Sequence, residues 1–319
     1  MPEPITRGVF EAIKRLSLTN QNMSFGSPSL MRMPKSPLTS GSGRSASRRR
    51  RAALRGTLLW LLGTCGAAAQ DSSEFAATPG RNLRAMTTDR PDATESPFTI
   101  DPGHVQIEMD FARFGRNRDV VREVDAWEAA PFNLRVGLSP QWEAGVFIVP
   151  FQSETVTMDG GRERRSGFGD TVLRAKWNAR GNDGGDLGFG LIADVKLPTA
   201  SDDFTNGKIE GGLTLPISFP LVGGWSGGAM TSIEAVYSEA GSFRAVWSNT
   251  ITAGRELGRN WGGFIELTSS TGDSSHAATF NCGITRRIGT DTQWDAGANF
   301  GLSRAAEDVV VFSGVSRRF

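Results

Sequence analysis

Val105, Ile107, Met109 and Phe111 fall on one side of an extended chain, and Gln106, Glu108 and Asp110 fall on the other. Such period-two alternation marks a strand with one apolar and one polar face. In 187–197 Phe189, Leu191, Ala193, Val195 and Leu197 oppose Asp194 and Lys196, and the same rhythm returns in 208–219, 292–302 and 309–319. The pattern predicts twelve strands, at 103–114, 122–137, 141–150, 167–177, 187–198, 208–219, 225–237, 243–257, 261–269, 276–287, 292–302 and 308–319. Each is near the roughly 9–11 residues that a tilted strand needs to cross a bilayer. No long helical period interrupts the series.

A soluble sandwich also alternates, so the connections and rims discriminate. With the N-terminus in the periplasm, most periplasmic turns are short, such as 138–140, 258–260 and 289–291, although 178–186 is longer. The longest connection, 151–166, then falls outside. Trp142, Trp225, Trp261 and Trp294 each open an upward strand and Trp177 ends a downward one, so five of the eight Trp share one rim. Trp favours a bilayer interface because its ring is apolar and its N–H seeks a polar partner. The chain stops on Phe319 after alternating Val309, Val311 and Val315, an ending of the outer-membrane assembly type in which Arg317 replaces a customary aromatic. The predicted fold class is therefore all-β: a closed antiparallel transmembrane β-barrel of about 12 strands, with no sheet edge left open to lipid.

Charge divides the chain. Residues 1–69 carry 11 Lys/Arg and 2 Asp/Glu, whereas the remainder carries 24 basic and 32 acidic residues, a net charge of −8. A negative body lacks the basic face that nucleic-acid binding requires. Arg48 to Arg51, the apolar run Leu58 to Leu62 and Ala67 to Ala69 follow the order of a secretory signal peptide, placed at 48–69. The run is shorter than the about 20 residues of a membrane helix. Thr64 before Cys65 fits a lipoprotein box poorly. Residues 1–47 read as a disordered extension or an unused start, with Met31 or Met33 giving a more ordinary signal. Cleavage would leave Cys282 as the mature chain's only cysteine, without an intramolecular disulfide partner. Residues 70–102 form an N-terminal segment, and 103–319 form the barrel.

Three stretches resemble the outer-membrane barrels known as transporters of the phenol-degradation MetA-pathway family. They are Thr88-Asp89-Arg90-Pro91-Asp92-Ala93-Thr94-Glu95-Ser96-Pro97, Gly167-Phe168-Gly169-Asp170-Thr171 and Lys196-Leu197-Pro198-Thr199, and the likeness spans about 86–319. The first motif is distinctive. The resemblance implies a porin-like barrel that passively admits aromatic or similar small compounds.

Alternation turns Glu108, Asp110, Asp170, Arg174, Lys176, Asp194, Lys196, Glu210, Glu234, Glu266 and Asp295 inward, with Arg287 a further candidate. Facing charges in a narrow lumen form either a salt-bridge network or a selectivity path. Asp89, Arg90, Pro91, Asp92 and Glu95 belong to a polar segment that either tethers the barrel in the periplasm or enters the lumen as a plug. The expected partners are outer-membrane lipid, the barrel-assembly machinery and a small-molecule solute, with no nucleic acid. The competing readings are a lipid-hydrolysing barrel enzyme and a purely structural barrel. Gly224-Trp225-Ser226-Gly227-Gly228 matches G-x-S-x-G, but a strand rather than a helix is predicted after it. Neither His104 nor His276 has an evident orienting partner for a triad. Two distant His and one Cys give no metal spacing, and Gly167-Phe168-Gly169 lacks the rest of a dinucleotide site. No enzyme activity, cofactor or metal is expected.

Overall fold

The computed structural model describes residues 83–238, 241–272 and 275–319. The signal peptide expected at 48–69 and the extension expected at 1–47 lie outside the described residues. The described chain forms β1 (Val105–Arg118), β2 (Arg122–Ala129), β3 (Phe132–Ser139), β4 (Trp142–Ile148), β5 (Phe151–Met158), β6 (Gly161–Gly167), β7 (Thr171–Arg180) and β8 (Gly188–Leu197). It continues through β9 (Glu210–Pro220), β10 (Trp225–Tyr237), β11 (Phe243–Gly258), β12 (Trp261–Gly272), β13 (Ser275–Arg287), β14 (Thr292–Gly301) and β15 (Val309–Arg318).

Three pairs of these strands are halves of single walls. β1 pairs with β2 above and β3 below, and the two halves part at Ala130, with φ 53°, and Pro131. β2 and β3 in turn pair with β5 and β4, which part at Pro150, where a missing N–H breaks the ladder. β6 and β7 complete the third pair by joining β5 and β4 respectively. The remaining strands follow in sequence order, and β15 pairs with β1 from Gln106↔Arg318 to Arg116↔Val309. Twelve walls thus close into one antiparallel barrel.

Residues 151–166, expected as a loop, are instead the β5–β6 hairpin. The reason is physical. A wall that rises beyond the lipid needs no apolar outer face, so the ladder persists while hydrophobic alternation fades, as in Ser153-Glu154-Thr155-Val156-Thr157.

Burial is inverted relative to a water-soluble core. Arg135, Lys176 and Asp295 are 0% exposed, while Leu213 is 49% and Ile251 56% exposed on the outer face. Lipid replaces protein as the apolar neighbour, and the enclosed space takes the polar groups. Trp142 stacks on Trp177 at 6.1 Å and Trp261 meets Trp294 edge-on at 6.2 Å at the short-turn rim. Trp127 and Trp247 are exposed toward the other end of the barrel, so aromatic side chains flank both sides of the apolar band. Ile251→Arg near the middle of β11 is expected to cost about 2–4 kcal/mol of folding stability in vesicles. Urea titration of the reconstituted protein measures this, and a loss near zero would place Ile251 outside the lipid band.

Candidate functional site

The residues preceding β1 enter the barrel from its short-turn end, which in barrels of this type faces the periplasm. At that end Arg84 pairs with Asp101 at 2.7 Å, and its carbonyl accepts from Arg318, 2.8 Å away. The chain then rises, crosses the interior and returns. Thr87 O accepts from Gln106, Asn178 donates to Pro97 O, and Ile100 N–H donates to Glu143. Its motif residues meet wall charges at each step.

Asp89 lies 2.6 Å from Lys176 and 3.3 Å from Arg135, and its N–H donates to Glu108. Arg90 bridges Asp295 at 2.6 Å and Asp110 at 2.7 Å. Glu266 on β12 accepts from Ala93 N (3.0 Å), Thr94 N (2.8 Å) and Thr94 Oγ1 (2.5 Å). Asp92 faces this same carboxylate. Glu95 turns back to Arg174 at 2.6 Å, and Arg174 in turn holds Asp194 at 2.8 Å. A Cβ at Gly314 would run into the Arg90 guanidinium and the Met109 carbonyl, so glycine is what leaves the wall open there.

The titration of the segment follows from these neighbours. Burial alone would raise Asp89, but Arg135, Lys176 and Arg174 outweigh it and hold the carboxyl below its usual range. Asp92 has no such cation among the described residues. Burial, and then the charge of Glu266, push it up to about 8. Burial likewise raises Glu95 to about 7 although Arg174 pulls the other way.

Seven of the inward candidates therefore gather around the segment: Glu108, Asp110, Arg174, Lys176, Asp194, Glu266 and Asp295. Asp170, Lys196 and Glu210 form a separate cluster nearer the outer end, with Lys196 at 2.9 Å from Asp170 and 2.7 Å from Glu210. Two short motifs meet in this corner. Thr171 N–H donates to Thr199 Oγ1 at 2.9 Å and Ala200 N–H donates to Asp170 at 2.8 Å, so the starts of β7 and its following loop partner form one unit. Glu234 is buried on β10. Arg287 is exposed and lines the mouth of the larger cavity described below.

The central wall residue was missed by the sequence reading. Arg135 on β3 contacts Asp89, Glu108 at 2.6 Å, Glu143 at 2.8 Å and the Phe98 carbonyl at 3.2 Å. Its parity opposite Leu134 and Val136 points it inward, as Glu143 opposes Trp142 and Ala144 on β4. Gln106, Asn133 and Asn281 were legible by the same rule.

The inserted segment divides the interior. Beneath it lies a cavity of about 980 Å³ lined by Pro91, Asp92, Trp225, Arg255 and Arg287 among others. Above it lies a smaller chamber of about 130 Å³, reached by Arg90, Asp92 and Glu95 from the segment and by Arg113, Glu128 and Asn133 from the wall.

A polar ion-paired interior, an apolar exterior with aromatic rims and a ring without an edge define a transmembrane β-barrel of the outer-membrane class. The chain belongs to the family described as the MetA-pathway of phenol degradation, which it matches over residues 88–319. Among solved structures its fold is similar to an outer membrane channel from Pseudomonas putida F1, at 12% identity over 73% of this chain and 100% of that one, with a TM-score of 0.51. Lesser likenesses are to the NanC porin (8% identity, 67% of this chain and 98% of that chain, TM-score 0.43) and the CymD monoaromatic hydrocarbon channel (8%, 68% and 88%, 0.40). No curated protein matches.

Proposed function

We propose that this protein is a channel for passive uptake of small solutes across the outer membrane, and that residues 84–100 act as a plug that narrows its lumen. The observation that carries the reading is the pair of cavities inside the barrel, of about 980 and 130 Å³, stacked on either side of the docked segment and lined by polar and apolar side chains alike. A barrel with a purely structural role has no need of such internal space, since a ring of about eight strands already closes with its interior filled by side chains. Family membership favours aromatic or similar small compounds as the solute. Assembly by the barrel-assembly machinery fits the closing strand, whose terminal Phe319 N–H donates to Val105 O at 2.7 Å.

The hydrolase reading gains no geometric support among the described residues. Ser226 of the G-x-S-x-G match lies on β10, and its hydroxyl donates to Gly254 O at 3.2 Å. The ring Nδ1 of His276 bonds Thr271 Oγ1, and that of His104 lies by its neighbour Pro102 O. The full chain in liposomes is expected to admit small sugars and aromatic acids in a swelling assay. No permeation of any solute, together with release of fatty acid from the phospholipid, would replace the channel by an enzyme.

A further inference from the structure

Around the segment, positive charge is scarce. Seven carboxylates, those of Asp89, Glu95, Glu108, Asp110, Glu143, Asp194 and Asp295, share four cations, Arg90, Arg135, Arg174 and Lys176. The chamber above the segment repeats this imbalance. Glu128, only 4% exposed, lines it without a hydrogen bond or an ion pair within 4.0 Å among the described residues. Its cross-strand neighbour is Arg113, which lines the same chamber without an ion pair to it within 4.0 Å. Two further buried acceptors at the chamber have no donor: Asn133 Oδ1 and Glu95 Oε2. Six carboxylates in all line the chamber, those of Asp89, Asp92, Glu95, Glu108, Asp110 and Glu128, against three arginines, Arg90, Arg113 and Arg174, and Pro131, Phe147, Val172 and Phe312 supply its apolar part.

Unpaired buried acceptors cost free energy until a donor reaches them. Water satisfies them in part, but supplies no charge. A primary ammonium supplies three N–H donors, no acceptor and one positive charge. The volume, about 130 Å³, is close to the roughly 150 Å³ of a cavity that holds one benzene ring, so only a compact group fits. Two phenylalanine side chains in the lining give such a ring an apolar bed.

We propose that this chamber is a binding site for a small organic cation, a primary ammonium carried on an aromatic or similarly compact apolar group. Glu128 provides the charge partner, Asn133 and Glu95 accept the remaining N–H groups, and Phe147, Val172 and Phe312 contact the apolar body. As a station on an uptake path the site rests on the channel reading above. Occupancy itself is independent of transport, and so can be tested apart from it.

Benzylammonium, benzyl alcohol and benzoate share one ring and differ in charge and donors. Binding of each to the full chain in detergent micelles is measured by isothermal titration calorimetry at pH 7. Benzylammonium is expected to bind about tenfold or more tightly than benzyl alcohol, as befits a charge-assisted hydrogen bond, and benzoate is expected not to compete. Glu128→Gln, in protein whose heat-modifiable gel mobility shows a folded barrel, is expected to remove the difference. Equal affinity for ammonium and alcohol, tighter binding of benzoate, or a Glu128→Gln barrel with unchanged preference would each overturn the proposal. Should that variant not assemble, discrimination by the wild-type chain decides the matter alone. Liposome flux of neutral solutes tests the channel separately: flux without ammonium preference sinks only the chamber, and ammonium binding without any flux sinks only the channel.

Discussion

Arg135→Met is expected to destabilise the barrel by about 3–5 kcal/mol, the cost of leaving buried charge without its partner. The side chain is 0% exposed and serves three carboxylates, Asp89, Glu108 and Glu143, together with the Phe98 carbonyl. Methionine fills a comparable volume, so packing alone predicts a small effect, whereas the charge network predicts a large one. Among the described residues Lys176 pairs with Asp89 at 2.6 Å and Glu143 at 3.7 Å, which leaves Glu108 without a cation. Urea unfolding from vesicles measures the loss, and a change under about 1 kcal/mol would show that water or protonation already satisfies these carboxylates. Arg135→Lys is expected to recover only part of the loss, because an ammonium cannot reproduce the guanidinium's two parallel bonds to Glu143.

Deleting Ala76 to Pro97 is expected to raise single-channel conductance in planar bilayers several-fold. The deletion removes the strip of chain that separates the two cavities and that fills the interior between β1 and β12. It also removes Asp89, Arg90 and Glu95, and so leaves Arg135, Arg174 and Lys176 facing an open lumen. Water reaches them there, which limits the cost to the fold. Unchanged conductance would remove the plug from the functional account, even with its contacts intact. A milder intermediate is Glu266→Leu, which strips the acceptor from Ala93 N, Thr94 N and Thr94 Oγ1 while leaving the segment's length alone.

Period-two alternation, together with the short turns and the tryptophan rim, was enough to determine the barrel. The reason is that a lipid-facing wall must be apolar at every second residue across the membrane, so each crossing writes itself into the sequence as a local pattern. The rim tryptophans and the inward parity of Glu108, Lys176, Glu266 and Asp295 follow from the same local rule. The same parity turns Arg135 and Glu143 inward, yet both were passed over because the alternation beside them is weaker.

Where that rule stops, only the tertiary structure decided. The β5–β6 hairpin stands beyond the apolar band, where no solvent asymmetry marks a strand's two faces. Thr88 to Pro97 are polar and Pro-bounded, compatible with a tether as much as with a docked segment. What holds them inside is a set of pairings such as Arg90 with Asp295 and Thr94 with Glu266, with partners 205 and 172 residues away along the chain. The same holds for the shortage of cations and the chamber at Glu128. Charge balance in a lumen is a property of which walls face one another, and closure of the ring sets that. The sequence carries every one of these charged side chains, but their distances exist only once β15 has met β1.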